Sequence, residues 1–76
     1  MGKVHTIGKV TVRVYANNHV PPHFHLVGPD AEAMIEIATG HLTAGRVPSR
    51  EALAWALANL DTIRAEWTRI NPRFPA

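Results

Sequence analysis

Residues 9–16 alternate, with Val10, Val12 and Val14 on one side and Lys9, Thr11, Arg13 and Tyr15 on the other. Successive side chains of a strand point to opposite faces, so this alternation, carried by β-branched residues, predicts a strand buried on one face. Val4 to Ile7 adds a short lead-in, with Gly8 at a turn or bulge. Residues 16–22 predict a loop: Asn17 and Asn18 tolerate turn geometry, and Pro21-Pro22 holds the backbone extended with no amide donor. Period two resumes over 23–27, where Phe24 and Leu26 share one face and His23 and His25 the other. Beyond a turn at Gly28-Pro29-Asp30, residues 31–38 set Ala31, Ala33, Ile35 and Ile37 against Glu32, Met34, Glu36 and Ala38. Thr39-Gly40 predicts a tight hairpin, and residues 41–44 a short fourth strand that ends at Gly45.

The period changes near Pro48. Ser49 suits an N-cap, its hydroxyl accepting a first-turn amide, and Glu51 suits the positive end of the helix dipole. Leu53, Ala56, Leu57, Leu60, Ile63 and Trp67 then recur at spacings of three and four, which predicts an amphipathic helix stopped by Asn71-Pro72. Asp61–Arg64 and Glu66–Arg69 are supporting i,i+3 pairs. Such a helix would run about 30 Å, against about 17–20 Å for a typical strand, so one end should project or pack on a second chain. Trp55 lies well off the stripe, open either to an interface or to packing on the loop before the helix.

The expected fold is α+β: an antiparallel meander of about four strands with one long C-terminal helix packed on one face. Residues 1–76 form a single domain, with strands roughly over 4–45 and the helix roughly over 49–70. The helix covers the Val10/Val12/Val14, Phe24/Leu26 and Ile35/Ile37 side. By parity alone the open face then carries Arg13, Tyr15, His23, His25, Glu32 and Glu36.

Composition narrows the function classes. Seventy-six residues, 46% hydrophobic, leave room for one small domain of modest stability, for which a partner chain is plausible. The absence of cysteine excludes a disulfide scaffold, a thiolate zinc finger and cysteine catalysis. No apolar run reaches a membrane span and no leader opens the chain, so a soluble cytoplasmic protein is expected. A net charge of +2 is too small to argue nucleic-acid binding by itself. Arg50, Arg64, Arg69 and Arg73 form either a solvated face or a phosphate-binding strip.

The unusual feature is histidine: five, of which His19, His23 and His25 fall within seven residues. Three readings are open. His23 and His25, two apart on a strand, could chelate one metal with His19 as third ligand, in a site fit for zinc, copper or nickel, with Glu36 or His41 as a fourth ligand. Alternatively His23 and His25 serve as base and acid for RNA cleavage, with Arg13 gripping the phosphate and Glu36 and Tyr15 nearby. In the third, the histidines only fix the path of the proline loop by bonding backbone carbonyls. His5 and His41 read as solvated or satisfied side chains.

The run Arg13-Val14-Tyr15-Ala16-Asn17-Asn18-His19-Val20-Pro21-Pro22-His23-Phe24-His25-Leu26 resembles the signature of a bacterial family known as domain of unknown function 4160. The likeness extends to the Ile35-Glu36-Ile37-Ala38-Thr39-Gly40 hairpin and to the helix with Trp55 and Trp67. The resemblance implies a small bacterial or phage-borne protein, often encoded beside another small domain as in a toxin–antitoxin-like pair. It carries no catalytic role to any residue. Asn17 and Asn18 stand where members often have an acidic residue, which weakens schemes that need a carboxylate beside His19. The leading expectation is thus one component of a two-protein module whose His/Arg face engages RNA or a partner. The alternatives are a metal-binding module on His19, His23 and His25, and a non-enzymatic adaptor or DNA-associated antitoxin. Its partner would be a small cognate protein, or a second copy joined through the long helix and Trp55.

Overall fold

The computed structural model describes residues 2–16 and 21–76. Five strands, β1 (Gly2–Ile7), β2 (Val10–Val14), β3 (His23–Val27), β4 (Glu32–Glu36) and β5 (Leu42–Gly45), precede two helices, α1 (Arg50–Ala58) and α2 (Leu60–Ile70). The strands form one antiparallel sheet in chain order, a meander as expected but with one strand more. The additional strand is the lead-in. It pairs with β2 along its whole length, from Gly2 opposite Val14 to Ile7 opposite Val10, and a bulge between Lys3 and His5 hides its alternation in the sequence.

The second correction is at Asn59, where the expected single rod is broken. Its backbone (φ −126°, ψ 31°) leaves the helical region and its N–H donates only three residues back, to Ala56 O. The Asn59 side chain donates to Trp55 O at 2.7 Å, supplying a partner to a carbonyl at the end of α1. Asparagine competes for backbone groups in this way, which makes it a poor residue for a helix interior. Helices of 9 and 11 residues are about 14 and 17 Å long at 1.5 Å per residue, each shorter than a strand of about 17–20 Å or close to it, in place of one rod of about 30 Å. The buried stripe follows the break: Ala52, Ala56, Ile63 and Trp67 are buried, whereas Leu57 is 43% exposed.

Both ends of the helical region behave as the sequence predicts. Ser49 Oγ accepts from Ala52 N at 3.2 Å, and Asn71 ends α2 with its N–H on Trp67 O. Arg64 meets Asp61 at 3.1 Å and Arg69 meets Glu66 at 2.8 Å. Two of the four arginines of the suggested phosphate strip are therefore paired with their own helix, in keeping with a solvated face. Beyond α2 the chain is held down by three side-chain bonds: Trp67 Nε1 donates to Phe74 O at 2.6 Å, Asn71 Nδ2 to Tyr15 O at 3.2 Å, and Ala76 N to Thr68 Oγ1 at 3.2 Å.

The core lies between sheet and helices. Val10, Val12, Val14, Phe24, Leu26, Ala33, Ile35 and Ile37 meet Ala52, Ala56, Ile63 and Trp67 there. Face parity in β2, β3 and β4 is as predicted: each apolar set faces the helices. Among the described residues no helix is long and apolar enough to cross a membrane.

Candidate functional site

Antiparallel register builds a row across the open face. Lys3 lies opposite Arg13, Arg13 opposite His25, His25 opposite Met34, and Met34 opposite Ala44. Directly opposed residues share a face, with Cβ atoms about 4.5–5.5 Å apart. Arg13 is half-buried, and among the described residues it makes no ion pair.

His25 is the best-defined member of the row. Its Nδ1 lies 2.9 Å from Glu32 Oε2. A carboxylate only accepts, so Nδ1 carries the hydrogen and Nε2 is left with its lone pair. Burial pushes the imidazole below its ordinary value of 6.5; the hydrogen bond to Glu32 pulls it back, and neighbouring His23 lowers it further. The ring is therefore neutral at pH 7, with an oriented, basic Nε2. The exposed Tyr15 packs edge-on against it, centroids 4.8 Å apart.

His23 departs from expectation. Strand parity predicts an open face for it, yet it is 7% exposed, its ring 5.3 Å from Trp67 and 5.3 Å from His25. As the first residue of β3 it stands at the end of the sheet, where the Trp67 indole of α2 reaches it. Its Nδ1 is 3.0 Å from Pro21 O. A carbonyl also only accepts, so His23 is fixed in the same tautomer as His25. Neither Nε2 has a hydrogen-bond partner among the described residues.

Glu36 lies opposite His23 in register, but its carboxylate accepts from Thr39 Oγ1 at 2.7 Å and serves the hairpin instead. The carboxylate that engages a histidine is Glu32, which the sequence reading put on the open face without a role. Register could have found it: a turn centred between Pro29 and Asp30 sets Val27 opposite Glu32, and so Glu32 diagonal to His25. His19 lies outside the described residues. His41 is exposed beside the hairpin. Among the described residues no three histidine, aspartate or glutamate side chains gather to hold a metal ion.

His5 and Trp55 resolve each other. The rings stack 4.1 Å apart at 8°. Trp55 is thus covered in part by β1.

The model of the protein family described as domain of unknown function (DUF4160) matches residues 10–68. The chain belongs to this family. The match takes in Arg13, Tyr15, His23, His25 and Glu32, and leaves β1 outside it. No curated protein and no solved structure matches the chain. Membership of DUF4160 assigns no activity, so any role for the row must come from its geometry.

Proposed function

We propose that the open face of this DUF4160 protein binds a phosphate-bearing ligand, RNA above all, and cleaves it without metal. The observation that carries this reading is the His25–Glu32 pair set directly across from Arg13. A general base needs a lone pair near neutrality and a third group to hold its tautomer. His25 Nε2 has both. A guanidinium with no carboxylate beside it suits a phosphate, which it can grip with two parallel hydrogen bonds. In the proposed step, the ribose 2′-oxygen bonds to the adjacent phosphorus as its proton passes to His25 Nε2. The bond from phosphorus to the 5′-oxygen breaks, and that oxygen takes a proton from His23 Nε2 in its imidazolium form. Arg13 stabilises the charge that builds on the phosphoryl oxygens. Such a role fits one component of a toxin–antitoxin-like pair.

The test is RNA cleavage by purified protein, with growth inhibition on expression as the cellular arm. His25→Ala should lower cleavage by about 10²–10⁴-fold, and Glu32→Gln by less, since the base remains but loses its orienting charge. Unchanged cleavage and growth in His25→Ala would remove the proposal. One observation favours a second reading, metal binding. Both imidazoles give Nδ1 to a fixed oxygen acceptor, as metal-bound histidines commonly do, and keep Nε2 for an ion. His19 would supply the third ligand. Elemental analysis of untagged protein and a thermal shift with zinc, copper or nickel test it; no metal and no shift would end it.

A further inference from the structure

The row across the open face changes character along its length. It starts with two cations, Lys3 and Arg13, passes through His25, and ends on Met34 and Ala44. Strands lie about 4.8 Å apart, so Arg13 and Met34, two strands apart, are separated by about 10 Å. At the apolar end is a hollow of about 260 Å³ lined by His25, Glu32, Met34, Ala44 and Gly45. Part of its wall is bare backbone. Gly45 has φ +78°, and a Cβ there would run into Glu32 O, so no side chain can fill the hollow from that position. Glu32 contributes an acceptor: Oε2 takes the His25 hydrogen, and Oε1 has no hydrogen-bond partner among the described residues.

We infer that this row holds a single nucleotide laid across the strands, its phosphate at Arg13, its sugar over His25 and its base in the hollow against Met34. The inference rests on the phosphate reading above and adds the ligand's direction and its base. A flat ring suits a shallow apolar hollow beside a thioether, which makes favourable contacts with aromatic rings. A carboxylate oxygen accepts hydrogen bonds and repels acceptors. It therefore favours bases with an exocyclic amino group, guanine, adenine or cytosine, over uracil, whose one Watson–Crick donor, N3–H, lies between two carbonyl acceptors.

The experiment titrates the full chain with inorganic phosphate, guanosine 3′-monophosphate and uridine 3′-monophosphate, followed by the NMR shifts of its backbone amides. The guanosine nucleotide should bind at least tenfold more tightly than phosphate, and the uridine nucleotide close to phosphate alone. Ala44→Leu, an exposed position on β5, should fill the hollow and remove the guanosine advantage while phosphate binding stays. Arg13→Ala should weaken all three ligands. Phosphate binding with no advantage for the guanosine nucleotide in the wild-type chain overturns this inference and leaves the phosphate reading standing. So does an advantage that survives Ala44→Leu. Failure of phosphate and both nucleotides to bind overturns the two together.

Discussion

The central strands and the edge strands obey different rules. In β2, β3 and β4 the side chains alternate without a slip, and Val12, Val14, Phe24, Leu26, Ala33 and Ile35 are fully buried. Both edges slip: β1 between Lys3 and His5, and β5 across from Met34 and Ile35. Each bulge moves the outer residues to the other side, which puts His5 on the Val12 side and Leu42 on the Ile35 side. The physical reason is the number of constraints. A one-residue slip in β3 would turn Phe24 and Leu26 to water and His25 into the core, and two neighbouring strands would lose their pairing. An edge strand has one neighbour and tolerates an extra residue at small cost. The row that carries the proposed chemistry is centred on strands whose register cannot drift.

The largest effect that sharpens this contrast is on stability. Phe24→Ala should cost about 3–5 kcal/mol, enough to threaten a 76-residue fold. Leu42→Ala, at 48% exposure on the edge, should stay within about 0.5 kcal/mol. Urea denaturation of both variants reads the difference, and comparable losses would show that the edge is as tightly packed as the centre.

That difference also sets what could be read from the chain. Face parity in the three central strands was legible because one buried face forces a clean period of two, and Val10, Val12, Val14, Phe24, Leu26, Ile35 and Ile37 all fall where the pattern puts them. β1 was legible only as a lead-in, since the residue added at its bulge interrupts the alternation. The break at Asn59 was hidden for another reason: the apolar spacing continues across it, from Ala56 to Ile63 and Trp67, and what stops the helix is one side chain bonding Trp55 O. In the candidate site, residue types and strand parity placed Arg13, Tyr15 and His25 on the open face. They could not show that Trp67 buries His23, a contact between elements far apart in sequence, nor that Thr39 occupies Glu36 while Glu32 takes His25.

A smaller effect in the same central region depends on pH. His25 titrates below its ordinary 6.5 in the folded chain, chiefly because burial disfavours the charged ring. Between the unfolded and the folded value the unfolded chain binds more protons, so stability falls as the pH drops. The His25 contribution is complete above about 6.5, declines as the pH falls through the depressed value and is level below it. His25→Gln should flatten this part of the acid limb in thermal melts from pH 7.5 to 4.5. A slope identical to the wild type would mean that His25 is not the group responsible. Cleavage, if His25 is the base, should follow the same group and persist below pH 6.5 before it fails.

The smallest effect belongs to the edge, where His5 lies flat on Trp55. Among the described residues this stack is the one aromatic contact that the β1 bulge creates, because without the extra residue Lys3 and His5 would share a face. An aromatic pair contributes about 0.5–1.5 kcal/mol beyond its buried area, and exposure of His5 puts this one at the low end. His5→Ala should therefore lower the melting temperature by about 2–4 °C, taking 4–8 °C per kcal/mol for a domain of this size. His5→Phe, which keeps a flat ring on the indole, should restore most of it. Lys3 and Arg13 face the other side of the sheet, so phosphate binding should not change in either variant. A His5→Ala protein that melts as early as Phe24→Ala would make the β1 edge part of the cooperative core, and the line drawn between centre and edge would have to move outward by one strand.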